Sequence, residues 1–596
     1  MKKIIIFIVL ISLFLTGFWV NDRLNLSTKI QNIGNNPSEA FMNLFQIIKK
    51  DGLFSTISQI QNKLSNDPRL GLSYSLQNPA DFPEVEKASE RERLPSSKIL
   101  MGIDPKEEFE SKVVDEDITW LSSNGGNYSN KYSSLDQINE QNIQELELAW
   151  SFKTKKNSMS NVIETTPVYA NGWLFITTLN DEVVCLNAKN GKIKWKIKLP
   201  GPVAKRGLVL EENDNFKDSR LFVTTSQGIY SIFADSGTIQ TEFGKNGKIA
   251  NQLSLVTPVI TDKHIIVAII KPAVEAYDLN TGKLIWSKEL LKSNDNITLF
   301  TGGVPWGGMS YDPLRRQLYI ATGNPRPEVI GVTRLGDNKH SASVISIDVD
   351  SGKIIWSFQE VSHDLWDLDI PSVPILTTIE RNNISIDVVA TVTKTGNTIL
   401  LERSSGKPIY DIPYRRVSTS KIPGEVTSAY QPDFNLPEPF LKKEFSEEDL
   451  TKISDESYKA VKAKIADSVF GFFEPPILGG SIVLYGVTGG ASWPGASVDK
   501  RNSTLFVPST SIPYIIRVVY KDLLAKRRQS KEIPGYSDYQ NNCASCHEDD
   551  RGGKEENSSL NQNFIPSLHG ITYLLKESSI LGLIEGNNLH TSMLKL

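Results

Sequence analysis

One large all-β propeller is the fold the sequence predicts, from a recurring unit, the spacing of its copies and the turn chemistry inside it. The unit reads VVCLNAKNGKIKW, VEAYDLNTGKLIW, VISIDVDSGKIIW and TILLERSSGKPIY, with a weaker copy in IYSIFADSGTIQTEF. Its glycines are Gly191, Gly237, Gly282, Gly352 and Gly406, and the gaps of 46, 45, 70 and 54 residues are each about the size of a four-stranded blade. An Asp-x-x-Ser/Thr-Gly turn makes a short hairpin whose glycine takes the left-handed conformation. The aromatic that follows is expected to dock on the neighbouring blade, which makes Trp195, Trp286 and Trp356 structural wedges. Radial repetition hides sheet edges and leaves a central channel for ligands. Ring closure is expected to pair the early strand around LELAWSFKT with a late strand around SIPYIIRVVY.

Taken in order, the chain opens MKKIIIFIVLISLFLTGFWV, two lysines before seventeen almost wholly apolar residues, Ile4 to Val20. Residues 1–20 therefore read as an export signal or a retained membrane anchor, which puts the rest outside the cytoplasm. Residues 21–117 read as a helical and linker extension. Asn36 and Pro37 start a helix with Phe41, Leu44, Phe45 and Ile48 on one face, and Ile57, Ile60 and Leu64 mark a second. The propeller is assigned to 118–520. An insert at 411–480 contains a helix from about Ser446 to Asp467, opened by a capping-box pattern, and such inserts sit on a rim. A charged tether spans 521–535.

Residues 536–596 read as a small, α-helical, cytochrome c-like domain. Cys543, Cys546 and His547 form Cys-x-x-Cys-His, in which both thiols attach haem c and the histidine ligates iron. Met593 is the only methionine downstream and the assigned second axial ligand, with His569 and His590 competing. Only 49 residues follow His547, so this domain is short.

The densest polar chemistry lies in VSHDLWDLDIP, residues 361–371, which sets His363, Asp364, Asp367 and Asp369 around Trp366 between apolar runs. A second candidate, Lys394, follows in VATVTKTGNTILL. A carboxylate base next to a cation suits proton removal with negative charge developing on an adjacent oxygen. Like-charge repulsion from Asp364 and Asp369 is expected to raise the proton affinity of Asp367. A net charge of −4 and 39% hydrophobic content describe an ordinary globular protein with no polybasic face, so no nucleic-acid partner is expected. Three cysteines, two of them in the haem motif, exclude a disulfide framework.

The motifs WLSSNGGNYSNKYSSLDQIN, PWGGMSYD, SHDLWDLDIP, TKTGN and GGASWPGA, followed by Cys-x-x-Cys-His, together resemble the quinohaemoprotein branch of the pyrroloquinoline quinone (PQQ) dependent dehydrogenases, closest to the glucose type. The resemblance covers Trp120 to the C-terminus. It implies an eight-bladed propeller with the quinone on the channel axis, with a calcium ion in many members. It also implies a periplasmic enzyme that oxidises an alcohol, sugar or polyol and passes electrons through haem to a cytochrome or quinone acceptor. Asp367 would be the base and Lys394 a contact to the quinone oxygens. Arg206, Trp306 and Trp493 would be cofactor contacts. Three positions depart from the pattern: Val304 and Pro305 replace an expected Asn ligand, Glu275 replaces an Arg, and Asn180 replaces a pocket histidine. They put calcium in question, with Glu275 as a substitute carboxylate. Two rival functions are a non-catalytic propeller scaffold and an electron-transfer module without bound quinone.

Overall fold

The computed structural model describes residues 119–519 apart from 155–163, 165, 250–255, 292–301, 335, 424 and 426, together with the short strands Arg93–Leu94, Lys554–Glu555 and Phe564–Ile565. The leader at 1–20, the predicted helices of the extension, the tether, and Cys543, Cys546, His547 and Met593 lie outside the described residues.

Four antiparallel four-stranded meanders follow one another, each with its strands in chain order: blade 1 (Val168–Lys198), blade 2 (Val203–Ile249), blade 3 (Val259–Glu289) and blade 4 (Met309–Gln359). Blade 5 (Ile375–Glu402) has three strands, and its outer edge is a single bridge from Leu401 to Pro408, where proline removes a ladder donor. Smaller sheets complete the described β structure, among them Tyr414–Arg416 with Tyr430–Pro432 and Ser497–Asp499 with Thr504–Phe506. The sequence pattern explains the layering. Middle strands such as Arg220–Thr225 and His264–Ile269 are buried along their length, whereas the outer strands Ile193–Lys198 and Leu284–Glu289 alternate. The apolar cores lie between neighbouring blades: one joins blades 1 and 2, another joins 2 and 3, and two more join 3 to 4 and 4 to 5.

The repeat's turn and its tryptophan form one device. All five turn glycines have φ between 66° and 73°. A Cβ on Gly237, Gly352 or Gly406 would meet Trp195, Trp286 or Trp356 of the preceding blade within 2.6 Å. Each indole Nε1–H donates to a carbonyl beside that turn, on Ala234 (3.0 Å), Val349 (2.8 Å) and Arg403 (3.1 Å) respectively. Trp150 does the same to blade 1, packing on Gly191 and donating to the Ala188 carbonyl at 3.0 Å. In blade 2, whose repeat lacks the tryptophan, Ile249 meets Gly282 instead.

Two expectations are corrected here. The late strand Tyr514–Arg517 exists, but it pairs with Ser481–Leu484 and not with LELAWSFKT, which forms no strand. The blades are instead tied by the irregular segment 120–130. Its carbonyls accept from Tyr169 of blade 1, Leu210 of blade 2, Tyr311 of blade 4, Leu376 of blade 5 and Val498 of the last hairpin. The insert's capping box at Ser446 opens only a 3-10 turn, Glu447–Asp449, and the α-helix runs Asp455–Lys464 from a second cap at Ser454. Thr451 and Ile453, both β-branched, separate the two.

Candidate active site

The stretch 361–371 leaves blade 4 as a loop held from behind by the insert. Ser362 exchanges hydrogen bonds with the Gln431 side chain (3.0 and 2.7 Å), and the Trp366 indole donates to the Glu474 carbonyl at 2.6 Å and meets Phe473 edge-on. His363 is fully buried, with Nδ1 2.8 Å from the Gly336 carbonyl and Nε2 2.8 Å from Glu425. The insert therefore braces this loop. Arg334, 1% exposed, donates to the Asp364 backbone carbonyl as well as to Pro327, Glu328 and Asn338.

The carboxylates of this stretch do different things. Asp364 is buried and accepts from the Trp366 (2.8 Å) and Leu368 (2.9 Å) backbone N–H groups, so it closes the turn and has no oxygen free for a substrate. Burial pushes its carboxyl up to about 6. Asp367, at φ 60° and with a partly exposed side chain, lies 3.1 Å from Lys394 Nζ. Its carboxyl is pushed up to about 7, chiefly by burial, with Asp369 and Asp364 adding and Lys394 opposing. Repulsion thus acts in the expected direction, but burial is the larger cause.

Lys394 and Asp369 complete the group. Lys394 Nζ sits 2.6 Å from Asp369 Oδ1 and 3.0 Å from the Asp367 carbonyl, and Asp369 Oδ2 accepts from the Trp306 indole at 2.6 Å. Burial disfavours the Lys394 ammonium, yet Asp369 and Asp367 together raise its pKa above the ordinary value. It is 8% exposed, so this is no surface lysine. A cation paired with two carboxylates at one edge of an indole can take up a proton while the ammonium offsets negative charge on a nearby oxygen.

Arg206 connects this group, through Trp306, to a neighbouring cavity. Its guanidinium lies 5.1 Å from the Trp306 ring and 4.8 Å from the Trp493 ring, donates to the Trp306 carbonyl at 2.6 Å and pairs with Glu164 at 3.0 Å. Arg206, Glu164 and Trp493 also line a cavity of about 640 Å³ closed by the 122–131 segment, with Lys131, Thr257 and Gly308. Burial lowers the Lys131 ammonium to about 8, and it donates to the Pro494 and Ala496 carbonyls, which fixes the loop carrying Trp493. Asp367 and Lys394 do not line that cavity; Trp306, through its contacts to both Arg206 and Asp369, bridges the two.

The departures noted in the sequence resolve differently. Glu275 sits on the third strand of blade 3, where it accepts from Tyr277 (2.5 Å) and Ser287 (3.2 Å), so it is bound within the blade and is no substitute ligand. Val304 offers only its carbonyl, to Trp306 and Gly323. Asn180 is an exposed turn residue. Sequence reasoning missed Glu164, Arg334 and Glu425, which act from other segments of the chain. For Glu164 the available signal was a lone acid ahead of the first blade, in VIETTP.

Residues 120–562 match the PQQ family model for the β-propeller domain of glucose, ethanol and alcohol dehydrogenases. The chain belongs to this family. Among curated relatives of this PQQ propeller, quinoprotein glucose dehydrogenase A of Acinetobacter calcoaceticus is 26% identical over 66% of the chain and 57% of its own length. Quinoprotein glucose dehydrogenase of Gluconobacter oxydans is 29% identical over 65% and 55%. The chain thus spans little more than half the length of these relatives. A europium-containing methanol dehydrogenase shares the fold at a TM-score of 0.51, with 20% identity over 67% of this chain and 70% of that one. A planar, anionic quinone fits the character of the residues present in this PQQ propeller: the Trp306 and Trp493 indoles, the Arg206 guanidinium over both rings, and the Lys394 ammonium 5.9 Å from the Trp306 centroid. Calcium fits less well. Lys394 already pairs with both Asp367 and Asp369, and among the described residues no group of three or more His, Cys, Asp or Glu is placed to hold a metal ion.

Proposed function

We propose that the protein is a PQQ-dependent dehydrogenase acting on CH–OH donors, an alcohol, sugar or polyol, with an eight-bladed propeller as its catalytic body. The observation that carries this reading is the Asp367–Lys394–Asp369 group at the edge of Trp306. When bound, the quinone supplies the hydride acceptor. Asp367, with a carboxyl near 7, takes the hydroxyl proton, while Lys394 neutralises negative charge developing on oxygen. Arg206, Trp306 and Trp493 hold and orient the cofactor.

Electrons would leave singly to a haem c on Cys543 and Cys546, with His547 and Met593 as axial ligands, and then to a cytochrome or quinone acceptor. Residues 1–20 would direct the protein to the periplasm, as a removed signal or as an anchor in the inner membrane. A non-catalytic scaffold would have no use for a buried lysine between two carboxylates, since such a group is costly to assemble.

The test supplies PQQ, with and without calcium, to the full-length protein and screens alcohols, sugars and polyols for reduction of an artificial acceptor. Turnover with at least one CH–OH donor, dependent on PQQ, is expected. No turnover across the panel in quinone-loaded protein contradicts the assignment. The haem is tested separately: haem staining should survive boiling in detergent on a denaturing gel and vanish when Cys543 and Cys546 are both changed to Ala. An unstained wild-type band removes the haem from the account.

A further inference from the structure

Glu360, two residues ahead of Ser362 at the end of blade 4, is 2% exposed and belongs to none of the groups described so far. Its Oε1 accepts from Thr393 Oγ1 and Asn397 Nδ2, both at 2.9 Å, and from Thr395 Oγ1 at 2.5 Å, while Oε2 has no hydrogen-bond partner. These donors flank Lys394. In Thr393-Lys394-Thr395, the outer side chains turn to Glu360 and the one between them turns to Asp367 and Asp369. The turn closes at Gly396, φ 83°, and Ala491 of the loop carrying Trp493 donates its N–H to the Thr393 carbonyl at 2.9 Å. A buried carboxyl collecting three donors from one five-residue turn fixes that turn's shape far more tightly than a strand end needs. Burial also pushes the carboxyl up to about 7, with the three hydrogen bonds opposing.

We propose that Glu360 is a positioning residue that locks the Thr393–Asn397 turn so that Lys394 Nζ is presented to the quinone. The inference rests on the quinone reading of the site. It predicts an unusual pattern of substitutions. Because all three bonds go to one oxygen and the other has no partner, Glu360→Gln retains the acceptor and the turn. Glu360→Leu removes the acceptor these three side chains share and leaves them only their bonds to one another, Thr393 to Thr395 at 2.7 Å and Asn397 to Thr395 at 2.8 Å, so the turn relaxes.

The experiment is equilibrium binding of PQQ to the full-length protein, followed by quenching of tryptophan fluorescence, in wild type, Glu360→Gln, Glu360→Leu, Lys394→Met and the Glu360→Leu/Lys394→Met double variant. Glu360→Gln should bind within about threefold of wild type, Glu360→Leu about tenfold or more weakly, and Glu360→Leu should add nothing once Lys394 is gone. Equal losses with and without Lys394, or wild-type binding by Glu360→Leu, overturn the proposal while leaving the quinone reading intact. Absence of saturable binding in wild type overturns both. Should Glu360→Leu fail to fold, Thr395→Val removes one donor from the opposite side and must weaken binding in the same Lys394-dependent way.

Discussion

Asp367→Asn is expected to lower alcohol-driven turnover by about 10²–10⁴-fold while the protein still binds quinone, since asparagine keeps the shape and cannot accept the proton. Dithionite should still reduce the proposed haem. The structure adds a pH signature. With its carboxyl near 7, Asp367 is half protonated at neutral pH, so turnover should fall about tenfold per pH unit below that value. The stability sign follows from the same shift. A folded pKa above the ordinary 3.8 means that this group's stabilising contribution is complete below about 3.8 and is lost as pH rises through about 7. Asparagine mimics the protonated form, so the variant's melting temperature relative to wild type should rise between pH 5 and pH 8. Near-wild-type turnover in Asp367→Asn would remove Asp367 as the base. Asp364 could not take its place, because both of its oxygens are held by backbone N–H groups.

Trp356→Ala is expected to destabilise the propeller by about 3–5 kcal/mol, the cost of emptying a fully buried tryptophan site. Trp356 is 1% exposed, stacks against Gly406 of the next blade, donates to the Arg403 carbonyl and contacts Tyr319. Trp195 and Trp286 are only partly buried, so their alanine variants should cost less. Denaturant unfolding of the three variants checks the order. A Trp356→Ala loss below about 1 kcal/mol would mean that the inter-blade wedge does not hold the ring together.

The parts legible in the sequence were those carried by local chemistry. The turn glycines announce a left-handed position next to a polar turn residue, and their φ values and the wedge tryptophans follow. Asp367 and Lys394 stood out because polar groups interrupted apolar runs, and the structure brings them to 3.1 Å. What remained hidden depends on backbone groups or on distant partners. The 120–130 segment joins the blades through its carbonyls, which carry no side-chain signature. Trp150 lacks the Gly-Lys turn that marked the other wedges, although it packs in the same way. The separation of Asp364 from Asp367 was also illegible, because one binds its own backbone and the other faces Lys394. Glu425 and Glu474 reach the 361–371 stretch from an insert whose sequence indicated a place on a rim but none of these contacts.

The central claim is that Arg206, Trp306, Trp493 and Lys394 form a single quinone site facing Asp367. Titrating PQQ into the cofactor-free, full-length protein while following tryptophan fluorescence tests it most directly. Saturable quenching at one equivalent, weakened about tenfold or more by Lys394→Met, is the predicted result. Quenching that never saturates, or that saturates equally in wild type and Lys394→Met, would contradict it.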